Sequence, residues 1–218
     1  MSDVSHSEAA DTRTRPARTV LVTSGRAGSS LLSAVMADAG CAFAVDVPTR
    51  WHRGTGAVEH PLAQSAGWLF DLAHRIESGR RFFIGYKYLA DARVSLAKRK
   101  LRRLLPAVDA VKAANTDLWI PHLPKMGYAP RVVVAYRDPL GVARSFLMQA
   151  KRTWPEVRPY YVRVNRNALL YLHSFGGCAI ENTELTDPNE TAWAYALGAV
   201  TGLDAEALLA ARDRRLDP

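Results

Sequence analysis

The 218-residue chain has the length of one domain with a sizeable core, and 48% apolar against 23% charged residues is the balance of an ordinary globular protein. A formal charge of +8 favours an anionic ligand, whether nucleotide, nucleic acid or lipid, without choosing among them. Cys41 and Cys178 form no C-x-x-C pair and no run nears the ~18 apolar residues of a bilayer span, which excludes a disulfide framework, a zinc site of that type and a transmembrane helix. No signal peptide is recognisable, so the expected compartment is the cytoplasm.

Residues 1–17 are polar, mix both charges and lack apolar periodicity, which predicts a disordered tail ahead of a single domain over 18–218. Thr19 to Thr23 is a β-branched apolar run and reads as a short buried strand; Leu31, Leu32, Val35 and Met36 follow at helical spacing. Between them lies a tight strand-to-helix loop with Gly25 and Gly28. Cys41 to Val47 offers a second short strand, and Pro48 to Pro61 is a loop carrying His52, Arg53, Glu59 and His60. Leu62, Ala66, Leu69, Phe70, Ala73 and Ile76 recur at three and four residues, an amphipathic helix ended by Ser78-Gly79. Phe82 to Tyr86 reads as a strand or buried turn, and Ala92 to Leu105 as a helix stopped by Pro106. The run Lys98 to Arg103 is the densest basic stretch; Leu96, Leu101, Leu104 and Leu105 leave it a cationic face open to an acidic substrate, a partner or a membrane surface, and lacking interleaved aromatics and any nucleic-acid motif it reads first as a solvated face.

Val108 to Lys112 predicts another short strand ending in a lysine, and Thr116 to Met126 a helical segment interrupted by Pro121 and Pro124. Arg131 to Tyr136 is the clearest buried strand; Asp138 stands as an N-cap and Pro139 as the first residue of a helix to about Ala150. Pro159 to Phe175 reads as a helix broken by Gly176-Gly177, Cys178 to Ile180 as a last strand, and Thr191 to Val200 and Ala205 to Arg212 as closing helices around Gly202. The alternation predicts an α/β fold, a three-layer sandwich with a mostly parallel central sheet flanked by helices. Ligands of such sheets sit at the carboxyl ends of the strands, where Gly25, Arg26, Lys112 and Arg137 all fall.

Two of these strand ends carry anion chemistry. In the first loop, Gly25 and Gly28 permit a sharp turn that aims backbone N–H groups and a helix dipole into one concavity, Arg26 adds a full charge, and Ser29 and Ser30 offer hydroxyls. The G-x-x-x-x-G-K-[ST] spacing is absent, which argues against an ATPase or GTPase. At the second strand end, the Arg137 guanidinium can grip a phosphate through two hydrogen bonds, and Ser145, eight residues on, can complete the site from the following helix.

Taken together the two segments resemble the PAPS-dependent sulfotransferases. Bacterial members often read G-x-x-R-S-G-T-S-L-L after the first strand; here Arg26, Gly28, Ser29, Ser30, Leu31 and Leu32 stand in those positions, with Ala27 and Ser29 as departures. The family's R-D/N-P-x-x-x-x-x-S segment is matched by Arg137 and Ser145, and Lys112 resembles a lysine found ahead of the 3′-phosphate strand. Glu184-Leu185 with Asp187-Pro188 looks like a worn tyrosine-glutamate-aspartate-leucine segment, Asn182 standing where an aromatic is usual, and Gly202-Leu203 resembles the closing glycine-leucine pair. The glycine-rich segment of eukaryotic cytosolic members is missing.

The resemblance implies a P-loop-like nucleotide-binding architecture and 3′-phosphoadenosine 5′-phosphosulfate (PAPS) as co-substrate, without a metal. Gly25, Arg26, Ala27, Gly28, Ser29 and Ser30 would then hold the 5′-phosphosulfate, Arg137 and Ser145 the 3′-phosphate, and Lys112 would stand beside them. The expected catalytic groups are Arg26 on the leaving phosphate and Glu59 or His60 as general base. Glu59-His60-Pro61 resembles the family's glycine-aromatic-glutamate segment, with Val58 for the aromatic, and His52 and His122 are further candidates. The implied partners are PAPS and a small-molecule hydroxyl or amine, with no nucleic acid and no membrane span; a homo-oligomer is left open. Phe70, Trp51, Trp68, Trp119 and Trp154 are read either as acceptor pocket or as core. A P-loop-like small-molecule kinase and a non-catalytic nucleotide-binding protein stay open as alternatives.

Overall fold

Parallel strands carry the fold in the computed structural model, which describes residues 15–43, 60–78 and 84–216. Strands β1 (Ala17–Thr23), β2 (Ala110–Lys112), β3 (Ala129–Tyr136) and β4 (Gly177–Glu181) lie in the order β2-β1-β3-β4, every pair parallel. Parallel neighbours need long crossovers, and helices supply them: α1 (Ser29–Asp38), α2 (Pro61–Ser78), α3 (Ile84–Leu104), α4 (Pro139–Ala150), α5 (Trp154–Phe175), the short α6 (Asn182–Thr186), α7 (Ala192–Thr201) and α8 (Ala205–Leu216).

Strand alternation divides the interior into two cores. Val20 and Val22 of β1 and Val132 and Val134 of β3 pack with Leu69 and Phe70 of α2, Ala97 and Leu101 of α3, and Val164 of α5. Leu21 and Val133 point the other way, into a core with Leu32, Val35 and Met36 of α1, Leu197 of α7 and Leu208 of α8. Covered on both sides, Val20, Leu21 and Val22 expose no surface, which is why β1 is continuously apolar. The expected α/β arrangement of helices over both faces of a parallel sheet is what the chain adopts. Among the described residues no helix is long and apolar enough to cross a membrane.

Several boundaries differ from expectation. β1 begins at Ala17, at the end of the stretch read as tail, and Ala129 N–H bonds Pro16 C=O just ahead of it. Of the strand expected over Cys41 to Val47, Phe43 makes one isolated bridge to Ala110, and 44–47 lie outside the described residues. Ile84 to Tyr86, read as strand, belong to α3, which starts at Ile84 instead of Ala92; Phe82 and Phe83 lie outside the described residues. Packing explains the longer helix, because Ala90, Ala97, Leu101 and Leu104 form a buried stripe at helical spacing. Leu96, expected on that inner side, is 44% exposed. The 116–126 segment folds as three single 3₁₀ turns, two of them opened by Pro121 and Pro124, which deny the backbone donors of a continuous helix. α5 starts at Trp154 because Thr153 and Glu156 form a capping box there, Thr153 N–H donating to Glu156 Oε2 at 2.7 Å.

Candidate functional site

The turn from β1 into α1 is built by residues that tolerate left-handed backbone. Gly25 and Gly28 have φ of 77° and 78°, and Arg26 itself sits at 57°. A side chain on Gly28 would bring its Cβ within 2.2 Å of Asn182 Oδ1, so glycine is required there both by conformation and by the close approach of α6. Gly25 N–H donates to Thr23 Oγ1 at 3.2 Å, and Ala27 and Ser29 are buried. Gly28 is the N-cap of α1 and offers no side-chain acceptor; the first ladder bond runs from Leu32 N–H to Gly28 C=O at 3.0 Å. The first-turn N–H groups and the positive end of the α1 dipole therefore meet at this loop.

Two cations are held at the loop from different directions. Lys112, the last residue of β2, is 4% exposed and donates from Nζ to Ser30 Oγ at 3.0 Å. Arg26 donates to Gln149 Oε1 and lies 5.8 Å from the Phe146 ring centroid. Burial lowers the Arg26 pKa from its ordinary value, as partial desolvation of a guanidinium must. Gln149 and Phe146 both belong to α4, the helix that also carries Ser145.

α4 is positioned by its own start. Asp138 caps it, Oδ1 accepting from Gly141 N–H at 2.6 Å, and Pro139 is its first residue, as expected. Gly141 lets the Arg137 side chain fold back over this first turn: a Cβ there would stand 2.4 Å from Arg137 Nε. Arg137 Nε lies 3.8 Å from Asp138 Oδ2, and the Arg137 carbonyl accepts from Tyr161 Oη at 3.2 Å. The result is an open groove of about 370 Å³ whose lining includes Arg137, Gly141, Arg144, Ser145, Met148 and Gln149. The structure thus brings Arg137 and Ser145 into one groove and ties Arg26 to it through Gln149. Gly141, Asn182, Phe146 and Gln149 were not singled out for these contacts by sequence; a glycine just inside a helix that follows an Arg-Asp-Pro turn is the only local signal among them.

Behind the strand ends lies a buried polar network, also unforeseen. Arg163 of α5 donates to Asn115 Oδ1 at 2.6 Å, pairs with Asp71 of α2 at 3.2 Å and lies 3.2 Å from Asp117 Oδ2. Asn167 donates to Asp117 Oδ2 at 2.9 Å, and Thr116 Oγ1 donates to the Leu21 carbonyl of β1 at 3.0 Å. Desolvation raises the Asp117 pKa against the opposing pull of Arg163. Tyr160, stacked beneath Arg163, donates to the Thr23 carbonyl at 3.3 Å, and burial pushes its pKa up to about 12, so it remains a donor. The base of the β1–α1 loop is thereby fastened to α2, α5 and the turn after β2.

The expected proton acceptors fare differently. Glu59 and His52 lie outside the described residues, as do Arg53 and Trp51. His60 stands at the start of α2 with Nδ1 accepting from Leu62 N–H at 3.0 Å. That bond engages the imidazole in capping the first turn of α2. His122 stacks on Phe70, ring centroids 4.9 Å apart, and does not line the groove. Burial, with Lys98 and Lys125 nearby, lowers its pKa to about 4. Phe70 and Trp119 are core, Trp68 is 61% exposed, and Trp154 packs edge-on against Tyr161. Among the described residues no group of three or more His, Cys, Asp or Glu side chains is gathered as metal ligands would be. Cys41 and Cys178 are buried apart, and desolvation pushes their thiols up to about 12 and about 11.

Compared with protein-family models, with curated proteins and with solved structures, the chain matches none.

Proposed function

We propose that the chain is a P-loop-like sulfotransferase that moves a sulfuryl group from PAPS to a hydroxyl or amine of a small molecule. The observation that carries the reading is the link through α4: Arg26 of the β1 loop bonds Gln149, which shares a groove with Arg137 and Ser145. The β1 loop and the start of α4, far apart in the sequence, are joined through Gln149, which supports a ligand with phosphate groups at both ends.

In the proposed reaction the acceptor oxygen or nitrogen attacks sulfur while the bond between sulfur and the 5′-phosphate oxygen breaks. The acceptor's proton passes to a base, and adenosine 3′,5′-bisphosphate leaves with the bridging oxygen and its charge. Such a transfer asks mainly for alignment and for positive charge on the departing phosphate. Arg26, Lys112 and the α1 N-terminus supply that charge, while Arg137 and Ser145 hold the 3′-phosphate. Glu59 is preferred as base, because the ring of His60 is engaged in capping α2.

Calorimetric titration of the whole chain with adenosine 3′,5′-bisphosphate, and in parallel with ATP and magnesium, tests the reading. Micromolar binding of the bisphosphate with little response to ATP supports it and leads to an acceptor screen with PAPS. Binding of ATP alone turns it toward a small-molecule kinase. Bisphosphate binding with no transfer to any acceptor leaves a non-catalytic nucleotide-binding protein.

A further inference from the structure

Helix α3 has a solvent face that combines dense positive charge with exposed apolar side chains. Its 21 residues carry Lys87, Arg93, Lys98, Arg99, Lys100, Arg102 and Arg103 against the single carboxylate of Asp91, on a chain whose whole formal excess is +8. Ala90, Ala97, Leu101 and Leu104 fix the opposite side of the helix in the core. Tyr88, Ala92, Ser95, Leu96, Arg99, Arg102 and Arg103 recur at three- and four-residue steps and are all exposed, so they share one outward stripe. The helix exposes Tyr88 (72%) and Leu89 and Leu96 (each 44%) in its first half and near its middle, beside Lys87 and Asp91, and its last two turns are cationic.

The helix itself does not account for this arrangement. Cations in a last turn suit the dipole, which covers Arg102 and Arg103 but neither Lys98, Arg99 and Lys100 nor the exposed apolar residues. Arg18 already serves the helix end, donating to the Leu105 carbonyl at 2.6 Å. Other segments add charge of the same sign: Lys125 and Lys98 both act on His122, and Arg15 bonds the Pro124 carbonyl in the turn that carries Lys125.

We infer that the outer face of α3 docks the protein on an anionic phospholipid surface. Arginines and lysines reach lipid phosphates, Tyr88 suits the headgroup layer, and Leu89 and Leu96 enter the boundary with the acyl chains. A nucleic-acid backbone rewards the cations but has no place for exposed leucines. At ~1.5 Å per residue α3 lays about 30 Å of contact along the surface. The inference does not depend on the reaction proposed above.

Sedimentation of the full chain with vesicles of phosphatidylcholine alone, and of phosphatidylcholine mixed with phosphatidylglycerol, is the test. Binding is expected on the mixed vesicles only, weakening as salt is raised. Arg99→Gln and Arg103→Gln should each lower the partition coefficient about fivefold, with circular dichroism unchanged. Leu96→Ser should lower it further, and more visibly at high salt, where the apolar contribution dominates. No binding to mixed vesicles at low salt overturns the inference, as does equal binding by the Arg99→Gln/Arg103→Gln pair or by Leu96→Ser. A duplex oligonucleotide serves as the rival probe: if it binds and the arginine variants abolish that binding while vesicles stay empty, the face reads nucleic acid instead.

Discussion

Lys112, buried at the end of the shortest strand, donates its ammonium to Ser30 Oγ at the start of α1, 3.0 Å away. The ammonium and the first-turn N–H groups of α1 lie side by side here, and both would favour a phosphate or sulfate bound at the loop. Lys112→Met keeps the bulk and removes the charge. Hydrogen bonds to charged groups are worth about 1.5–3 kcal/mol, so affinity for adenosine 3′,5′-bisphosphate should fall about tenfold to a hundredfold. Calorimetry checks this, and an unchanged affinity would remove Lys112 from the site.

Arg137→Ala discriminates between the two ends of the ligand. With the guanidinium gone from the groove, adenosine 3′,5′-bisphosphate should lose about tenfold or more in affinity while adenosine 5′-phosphate changes little. Equal losses for the two nucleotides would mean that Arg137 holds no 3′-phosphate.

Arg163→Met leaves Asp117 buried without its cation, whereas Asp71 keeps Arg75 at 2.8 Å. Stranding a buried charge in this way costs about 3–5 kcal/mol, and chemical denaturation at pH 7 should show a loss of that order. Asp117 already has a raised pKa in the native protein, so its ionised form weakens folding above that pKa and its protonation relieves the strain as pH falls. The deficit of Arg163→Met should therefore shrink as the pH is lowered from 7 through the raised pKa of Asp117. A variant as stable as the parent at pH 7 would show that the network is ornamental.

His122 makes stability depend on pH in the opposite direction from a paired histidine. Its folded pKa of about 4 lies below the ordinary value of 6.5, so the unfolded chain binds the proton first. The contribution is complete above pH 6.5 and is lost as pH falls toward 4. Lys98 and Lys125 are the charges that act on it, and Phe70 is the ring it stacks on. His122→Phe preserves the stacking and should flatten the urea midpoint between pH 6.5 and 5; an identical slope in parent and variant would assign the dependence to other groups.

What the sequence disclosed depended on how local the cause was. β3 and α4 were legible because a valine run and an Asp-Pro cap act within a few residues, and the observed α4 bounds are those expected. Lys112 and Arg137 could be placed at strand ends for the same reason. The contact of Arg26 with Gln149 was not legible, since nothing in either neighbourhood encodes a meeting across 123 positions. The same holds for Arg163, whose partners come from α2 and from the turn after β2. Ile84 to Tyr86 were misread because aromatic and branched residues favour strands locally, whereas they form the first turn of α3. The start of α5 was a missed signal, for Thr153 and Glu156 carried the capping box in plain view.

The position of β1 in the middle of the sheet bears on how the chain is made. It leaves the ribosome first, yet Thr19 pairs with Ala110 on one side and with Arg131 on the other. At about 5–20 residues per second, translation leaves it waiting several seconds for its neighbours. Through that interval Val20, Leu21 and Val22, which end without any exposed surface, face water with both edges of the strand open. The apolar strand can complete its pairing only after β3 has been made, so the burial of Val20, Leu21 and Val22 is a late, long-range event in building the fold.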